Sequence, residues 1–363
     1  MKDYKLLTPG PLTTSAAVKQ EMLFDHCTWD DDYKKITLKI RDQLLQLAHV
    51  NKNDYTVVLM QGSGTFGVES VITSVIGQDE KLLIVANGAY GKRMKNICEH
   101  ANVDHTMIEF AENENPDAGI IARVLDNDDT ITHVAMVHSE TTSGILNDIK
   151  SVAKIVKENN KVFIVDAMSS FGGIDIEVGK LGIDFIISSA NKCIQGVPGF
   201  SFVIANKELL IASKGKARSL SLDLYDQWQT MDKDGKWRFT SPTHVVLAFS
   251  KAIDELIQEG GIAARSKRYY DNNRLLIKKM EEMGINSYVD LAYQGPIITT
   301  FYYPNKDFVF SEMYDYIKER GYAIYPGKLT TEKTFRIGNI GEIYESDILN
   351  LCSIIKDFLA EVE

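Results

Sequence analysis

The sequence predicts an α/β protein with a mostly parallel sheet covered by helices, followed by a smaller α+β domain. Three observations predict it. Between Tyr55 and Asn206, short apolar runs rich in β-branched residues alternate with helix-period segments. Those runs are apolar almost throughout, as in strands buried on both faces. Beyond Asn206 the regular alternation lapses, and strands and helices follow in mixed order. At 363 residues the chain also exceeds one ordinary core. The domains are placed at 1–255 and 256–363, with the N-terminal segment free to pack on the smaller one.

The elements are justified in order. Leu6-Leu7-Thr8-Pro9-Gly10-Pro11 is a rigid turn, because two prolines around a glycine cannot sit inside a helix. Asp30-Asp31-Asp32 is read as a solvated helix start, since it lacks the alternating spacing of a calcium loop. A helix stripe follows through Tyr33, Ile36, Ile40, Leu44 and Leu47. Tyr55 to Met60 is a strand, and Gln61 to Gly67 is a glycine-rich turn opening a helix from Val68 to Ile76. Strand Lys81 to Ala86 leads through Asn87-Gly88-Ala89-Tyr90-Gly91 into helix Lys92 to His100. Strand Ile131 to Val137 ends in His138-Ser139-Glu140-Thr141-Thr142-Ser143-Gly144 and is followed by helix Ile149 to Asn159. Strand Val162 to Val165 ends in Asp166. Strand Ile183 to Ile187 runs into a loop carrying Lys192, and Phe200 to Ala205 returns from it. Lys214 to Phe239 reads as a long polar excursion. Helices Val245 to Glu259 and Arg265 to Met283 follow. Then come strand Ile297 to Tyr302, helix Ser311 to Arg320, a strand-like Tyr322 to Tyr325, strand Thr334 to Ile337 and helix Glu345 to Val362.

A net charge of −10 and a pI near 5.3 argue against nucleic acid or an anionic membrane as partner. Local basic groups and backbone N–H groups still leave room for a small anionic substrate. Cys27, Cys98, Cys193 and Cys352 show no C-x-x-C spacing, which favours a reduced, cytoplasmic setting. Met1 to Lys5 has no apolar core of a signal peptide, and no apolar run is long enough to span a bilayer.

In a parallel α/β sheet, ligands bind at the carboxyl ends of strands. Four features fall there. Ser63, Gly64 and Thr65 form an anion cradle at a helix start. The segment lacks the P-loop ending. Tyr90 offers an aromatic face. Asp166 closes a buried strand, although taken alone it could be a helix N-cap. Lys192 sits between apolar strands, where desolvation favours the neutral, nucleophilic amine. Taken alone it could be a hairpin residue. Together they are the set that pyridoxal phosphate needs: a phosphate site, a stacking face, an acid beside the ring nitrogen, and a lysine for the Schiff base. His138 and Glu140 could form an acid–base pair or serve as structural hydrogen-bonders. No metal site is expected.

On these motifs the chain resembles the fold-type-I aminotransferases that use pyridoxal phosphate, in the group that includes alanine–glyoxylate and serine–glyoxylate aminotransferases. The resemblance runs from Thr8-Pro9-Gly10-Pro11 through Asp166-Ala167-Met168-Ser169-Ser170 and Asn191 to Gly199. It continues through Arg238 to His244 and ends at Phe335-Arg336-Ile337-Gly338-Asn339-Ile340-Gly341. It implies Lys192 as the cofactor-bound, proton-shuttling lysine and Asp166 as partner of the pyridinium. Tyr90 takes the place of the ring-stacking aromatic. Ser63, Gly64 and Thr65 would hold the phosphate, with Thr240 reaching it from the other subunit of a homodimer. Thr142 would lie near the phenolic oxygen, and Arg336 would bind the anionic end of the substrate. Asn191 stands where many relatives have Gln. The segments at Lys192 to Gly199 and Thr240 resemble the branch that acts on aminoalkylphosphonates. That implies transfer from 2-aminoethylphosphonate to pyruvate, with alanine– or serine–glyoxylate transfer as the alternative. A cysteine desulfurase needs a mobile nucleophilic cysteine, which neither Cys193 nor Cys352 suits.

Overall fold

The computed structural model describes residues 4–329 and 331–362. Met1 to Asp3, part of the polar N-terminus noted above, lie outside them. The central sheet has seven strands. Their spatial order is Tyr55–Gln61, Phe200–Asn206, Phe185–Ser189, Val162–Asp166, Ile131–Val137, Lys81–Ala86 and Asp104–Glu109. Only Phe200–Asn206 runs against its neighbours, Tyr55–Gln61 on one side and Phe185–Ser189 on the other. The remaining pairs are parallel. The mostly parallel, helix-covered sheet that the sequence predicts is therefore the one that forms.

Burial on both faces explains the unbroken apolar runs. Along Tyr55–Gln61, Tyr55, Val57 and Leu59 join one core, with Leu44, Phe163, Phe202 and Phe249. Val58 and Met60 join the core on the opposite face, with Val71, Ile84, Ile187 and Val203. Side chains alternate with period two, so each face needs its own apolar set.

A second, antiparallel sheet orders Ile298–Tyr302, Thr334–Gly338 and Tyr325–Pro326. Its core joins Phe301 and Phe335 to Leu276, Ile317, Ile348 and Ile355 from three helices. Leu7 is buried in the same core, and Lys5–Leu6 pairs in parallel with Tyr322–Ala323. Helices Thr243–Glu259 and Gly261–Glu281 connect the two halves. The chain turns between them at Gly260, whose φ of +112° suits glycine.

Several expectations need correction. Lys214 to Phe239 is not a plain excursion, because it holds helix Leu224–Asp234. Asp223 caps that helix by accepting from the Asp226 N–H, Gly235 ends it, and Tyr225, Trp228 and Met231 are buried. The edge strand Asp104–Glu109 and helix Ala118–Asn127 were not anticipated. That strand is only half-buried, so its sequence carries no apolar run. The helix expected from Val68 begins at Gly64, and the one expected from Lys92 begins at Ala89. The strand expected at Ile183 to Ile187 lies at Phe185–Ser189. Among the described residues, no helix is long and apolar enough to cross a membrane.

Candidate active site

At the carboxyl edge of the large sheet lies a chamber of about 180 Å³, lined by residues that include Ser63, Gly64, Thr65, Tyr90, Asp166 and Lys192. Each wall comes from a different strand end, as the parallel topology requires.

Lys192 sits on the loop between Phe185–Ser189 and Phe200–Asn206. That loop is held from several sides. Gln195 takes a φ of +68°, and its Nε2 donates to the Tyr269 hydroxyl and the Gly341 carbonyl, both at 2.7 Å. The Tyr269 hydroxyl in turn donates to the Cys193 carbonyl at 3.0 Å. Lys192 Nζ donates to the Pro9 carbonyl at 3.0 Å, so it reaches across the chain and caps no hairpin. Burial pulls its pKa from 10.5 down to about 8. The nearby Arg336 and Lys328 push the same way, while Cys193 and Asp166 oppose them.

Asp166 is the last residue of its strand, and its Oδ1 accepts from the Met168 N–H at 2.9 Å. No helix begins there, so the N-cap alternative does not hold. Burial raises its carboxyl from 3.8 to about 6. Glu140 adds to the shift, and the Met168 N–H, Lys192 and Arg93 moderate it.

The cradle forms where helix Gly64–Val75 begins. Ser63 is its N-cap residue, but the Ser63 side chain makes no capping bond. Gly62 turns the chain with a φ of +116°. First-turn N–H groups have no partner within their own helix, so an anion can take them. Thr65 Oγ1 accepts from Arg93 Nη1 at 3.1 Å.

Tyr90 lies in the first turn of helix Ala89–Ala101, and its N–H donates to Glu140 Oε2 at 3.0 Å. Its ring carries the Arg93 guanidinium at 4.8 Å and the Lys328 ammonium at 5.9 Å. Glu140 is fully buried, and burial raises its pKa. Its Oε1 accepts from Thr142 N at 3.1 Å and Oγ1 at 2.6 Å. Thr142 therefore stands behind Glu140 and outside the chamber lining. His138 also lies outside it, bonded through Nδ1 to the Ser170 hydroxyl at 2.9 Å and pushed by burial down to about 4. It fits the structural role better than the acid–base one. Thr240 is exposed on the loop before helix Thr243–Glu259 and does not line this chain's own chamber.

Arg336 comes from strand Thr334–Gly338 of the smaller sheet and is only 4% exposed. Its Nε donates to the Pro326 carbonyl at 3.0 Å and its Nη1 to the Thr141 carbonyl at 2.9 Å. Among the described residues, no carboxylate lies within ion-pair distance of it. Its guanidinium also lies 5.7 Å from the centre of the Tyr325 ring, and a buried guanidinium with no carboxylate bonded to it is suited to receive an anion.

Sequence reasoning missed four groups. Ser139 and Ser189 line the chamber with buried hydroxyls that have no hydrogen-bond partner. Both stand at or just past strand ends, so the same rule could have found them. Arg93 lies one helical turn beyond Tyr90, a spacing that puts both on one face. Lys328 carried no local signal. The cradle, the orphaned hydroxyls, the buried carboxyl and the desolvated lysine fit pyridoxal phosphate.

The aminotransferase class-V family model matches residues 26–342. The chain is 56% identical to a 2-aminoethylphosphonate--pyruvate transaminase of Lysinibacillus sphaericus (strain C3-41), over 99% of this chain and 98% of that one. It is 53% identical to a bifunctional phosphonoacetaldehyde hydrolase/aminoethylphosphonate transaminase of Clostridioides difficile (strain 630), over 98% of this chain and 56% of that longer protein. In fold it is similar to the crystal structure of a ureidoglycine-glyoxylate aminotransferase from Bacillus subtilis. The TM-score is 0.91 at 20% identity, covering 99% of this chain and 94% of that one.

Proposed function

The chain belongs to the class-V aminotransferases, and from that premise we propose that it moves the amino group of 2-aminoethylphosphonate to pyruvate, giving phosphonoacetaldehyde and L-alanine. The observation that carries the reading is the near end-to-end identity to a transaminase of that name. Pyridoxal phosphate is the cofactor. Bound, it supplies a carbonyl that joins amines and a ring that takes up electrons when a carbon beside the nitrogen loses its proton.

The chain's own groups would then divide the work. The N–H groups and hydroxyls at Ser63, Gly64 and Thr65 would hold the phosphate, joined by the partner subunit's Thr240 in a homodimer. Tyr90 would stack on the ring. Asp166, well placed to stay ionised once it faces a cation, would keep a proton on the ring nitrogen. Thr142 would act through Glu140, whose carboxylate its N–H and hydroxyl hold. Lys192, already halfway to the neutral amine near pH 8, would anchor the cofactor and carry the proton between donor carbon and cofactor carbon. Arg336 would pair with the phosphonate of one substrate and the carboxylate of the other, because its planar fork suits both. Four free cysteines accord with a cytoplasmic setting.

Initial rates should be compared for 2-aminoethylphosphonate, L-alanine and L-serine, each with pyruvate and with glyoxylate. The expected result is the highest kcat/KM for 2-aminoethylphosphonate with pyruvate. Higher values for alanine or serine with glyoxylate would replace this reading with the alternative transfer.

A further inference from the structure

The site as described gives the substrate one cation, Arg336, yet the two proposed substrates differ in charge. Pyruvate carries a single carboxylate charge. A phosphonate, like a phosphate monoester, approaches two near neutral pH. A site that prefers the phosphonate has use for a second positive group, which the carboxylate does not require.

Lys328 has the placement for it. It lies on the segment that leads from Tyr325–Pro326 toward strand Thr334–Gly338. Arg336 itself donates to the Pro326 carbonyl, two residues before Lys328. The Lys328 ammonium stands 5.9 Å from the centre of the ring of Tyr90, a residue that lines the chamber. Among the described residues, it has no carboxylate within ion-pair distance. Its neighbours are of both signs: Arg336 and Arg93 repel it, and Glu140 attracts it. Burial and the two guanidinium groups lower its pKa. Uncompensated positive charge in that position is what an incoming dianion relieves. Arg93 is the less suitable second group, because its Nη1 is bonded to Thr65 in the cradle. It belongs with the cofactor's phosphate.

We propose that Lys328 and Arg336 form a two-cation seat for the phosphonate of the amino donor, with Lys328 setting the preference for the phosphonate over a carboxylate. The proposal rests on the reading of the donor given above. In it Arg336 serves both half-reactions, while Lys328 serves chiefly the donor one.

The test separates the half-reactions in single-turnover measurements on the cofactor-loaded enzyme. Lys328→Ala should lower kcat/KM of the donor step with 2-aminoethylphosphonate by on the order of 10- to 100-fold, the range of a lost charge-assisted hydrogen bond. The pyruvate step should stay within about threefold by the same reasoning, and Lys328→Arg should recover most of the donor step. Binding of unreactive ethylphosphonate and propionate, measured by calorimetry, gives a readout apart from turnover. Lys328→Ala should weaken the first and leave the second nearly unchanged. Equal losses in both steps, or no loss in either, would overturn the role of Lys328 and leave the reaction assignment intact. A wild-type enzyme that neither turns over 2-aminoethylphosphonate nor binds ethylphosphonate would overturn the assignment and this proposal together.

Discussion

Desolvation organises the site at the scale of single residues. Lys192 and Asp166 are both buried, and burial moves each toward its neutral form. In the cofactor-free protein, acylation of Lys192 should be half-maximal near pH 8, followed by peptide mapping. A midpoint near 10.5 would mean that the amine is solvated. The Asp166 carboxyl has a folded pKa of about 6, above its ordinary 3.8. The folded state therefore holds the proton more tightly, and this group's contribution to stability is lost as pH rises through about 6. Asp166→Asn should accordingly gain thermal stability relative to the wild-type apoprotein between about pH 4 and pH 6, while transamination collapses. A pH-independent Tm difference would contradict the buried-carboxyl account. Arg336→Lys keeps the charge and loses the fork. It should cost about 10-fold or more in kcat/KM for both substrates, and Arg336→Ala considerably more. A folded, cofactor-loaded Arg336→Ala variant within twofold of wild type would make the guanidinium a bystander.

Elements decide which of these residues meet, and here legibility divides. The strands of the central sheet were readable because burial on both faces makes them apolar throughout. Ser63, Tyr90, Asp166 and Lys192 were readable because each closes or follows such a strand. Asp104–Glu109 was not, since an edge strand half in water needs no apolar run. Lys328 and Arg93 were not either, because their role depends on where long side chains end in space. The N-terminal segment shows how the smaller sheet bears on the site. Gly338 N–H donates to the Leu7 carbonyl at 2.9 Å, and two residues on, the Pro9 carbonyl holds Lys192. A Cβ at Gly338 would meet the Thr8 carbonyl oxygen at 2.6 Å and Pro9 N at 2.9 Å, both backbone atoms that cannot swing aside. Gly338→Ala should destabilise the protein by about 1–3 kcal/mol, as overpacking does, and slow the reaction with it. An unchanged thermal midpoint and rate would show that the segment has room to shift.

At the scale of the whole molecule, the proposed function calls on a second chain, whose Thr240 would reach the phosphate cradle. Phe66 and Phe239 line one apolar hollow and are each about half exposed, and Phe239 immediately precedes Thr240. That surface is where the proposed homodimer contact is tested. Phe239→Asp should shift the protein from dimer to monomer in sedimentation equilibrium and weaken cofactor retention; a variant that stays dimeric and loaded would place the interface elsewhere. The most direct test of the whole account is chemical. The purified yellow enzyme is reduced with borohydride, digested, and its peptides are mapped by mass spectrometry. The account predicts loss of the colour and a phosphopyridoxyl group on the peptide bearing Lys192, with none on Lys192→Ala protein. A modification on another lysine, or a protein that carries no such group at all, would contradict it.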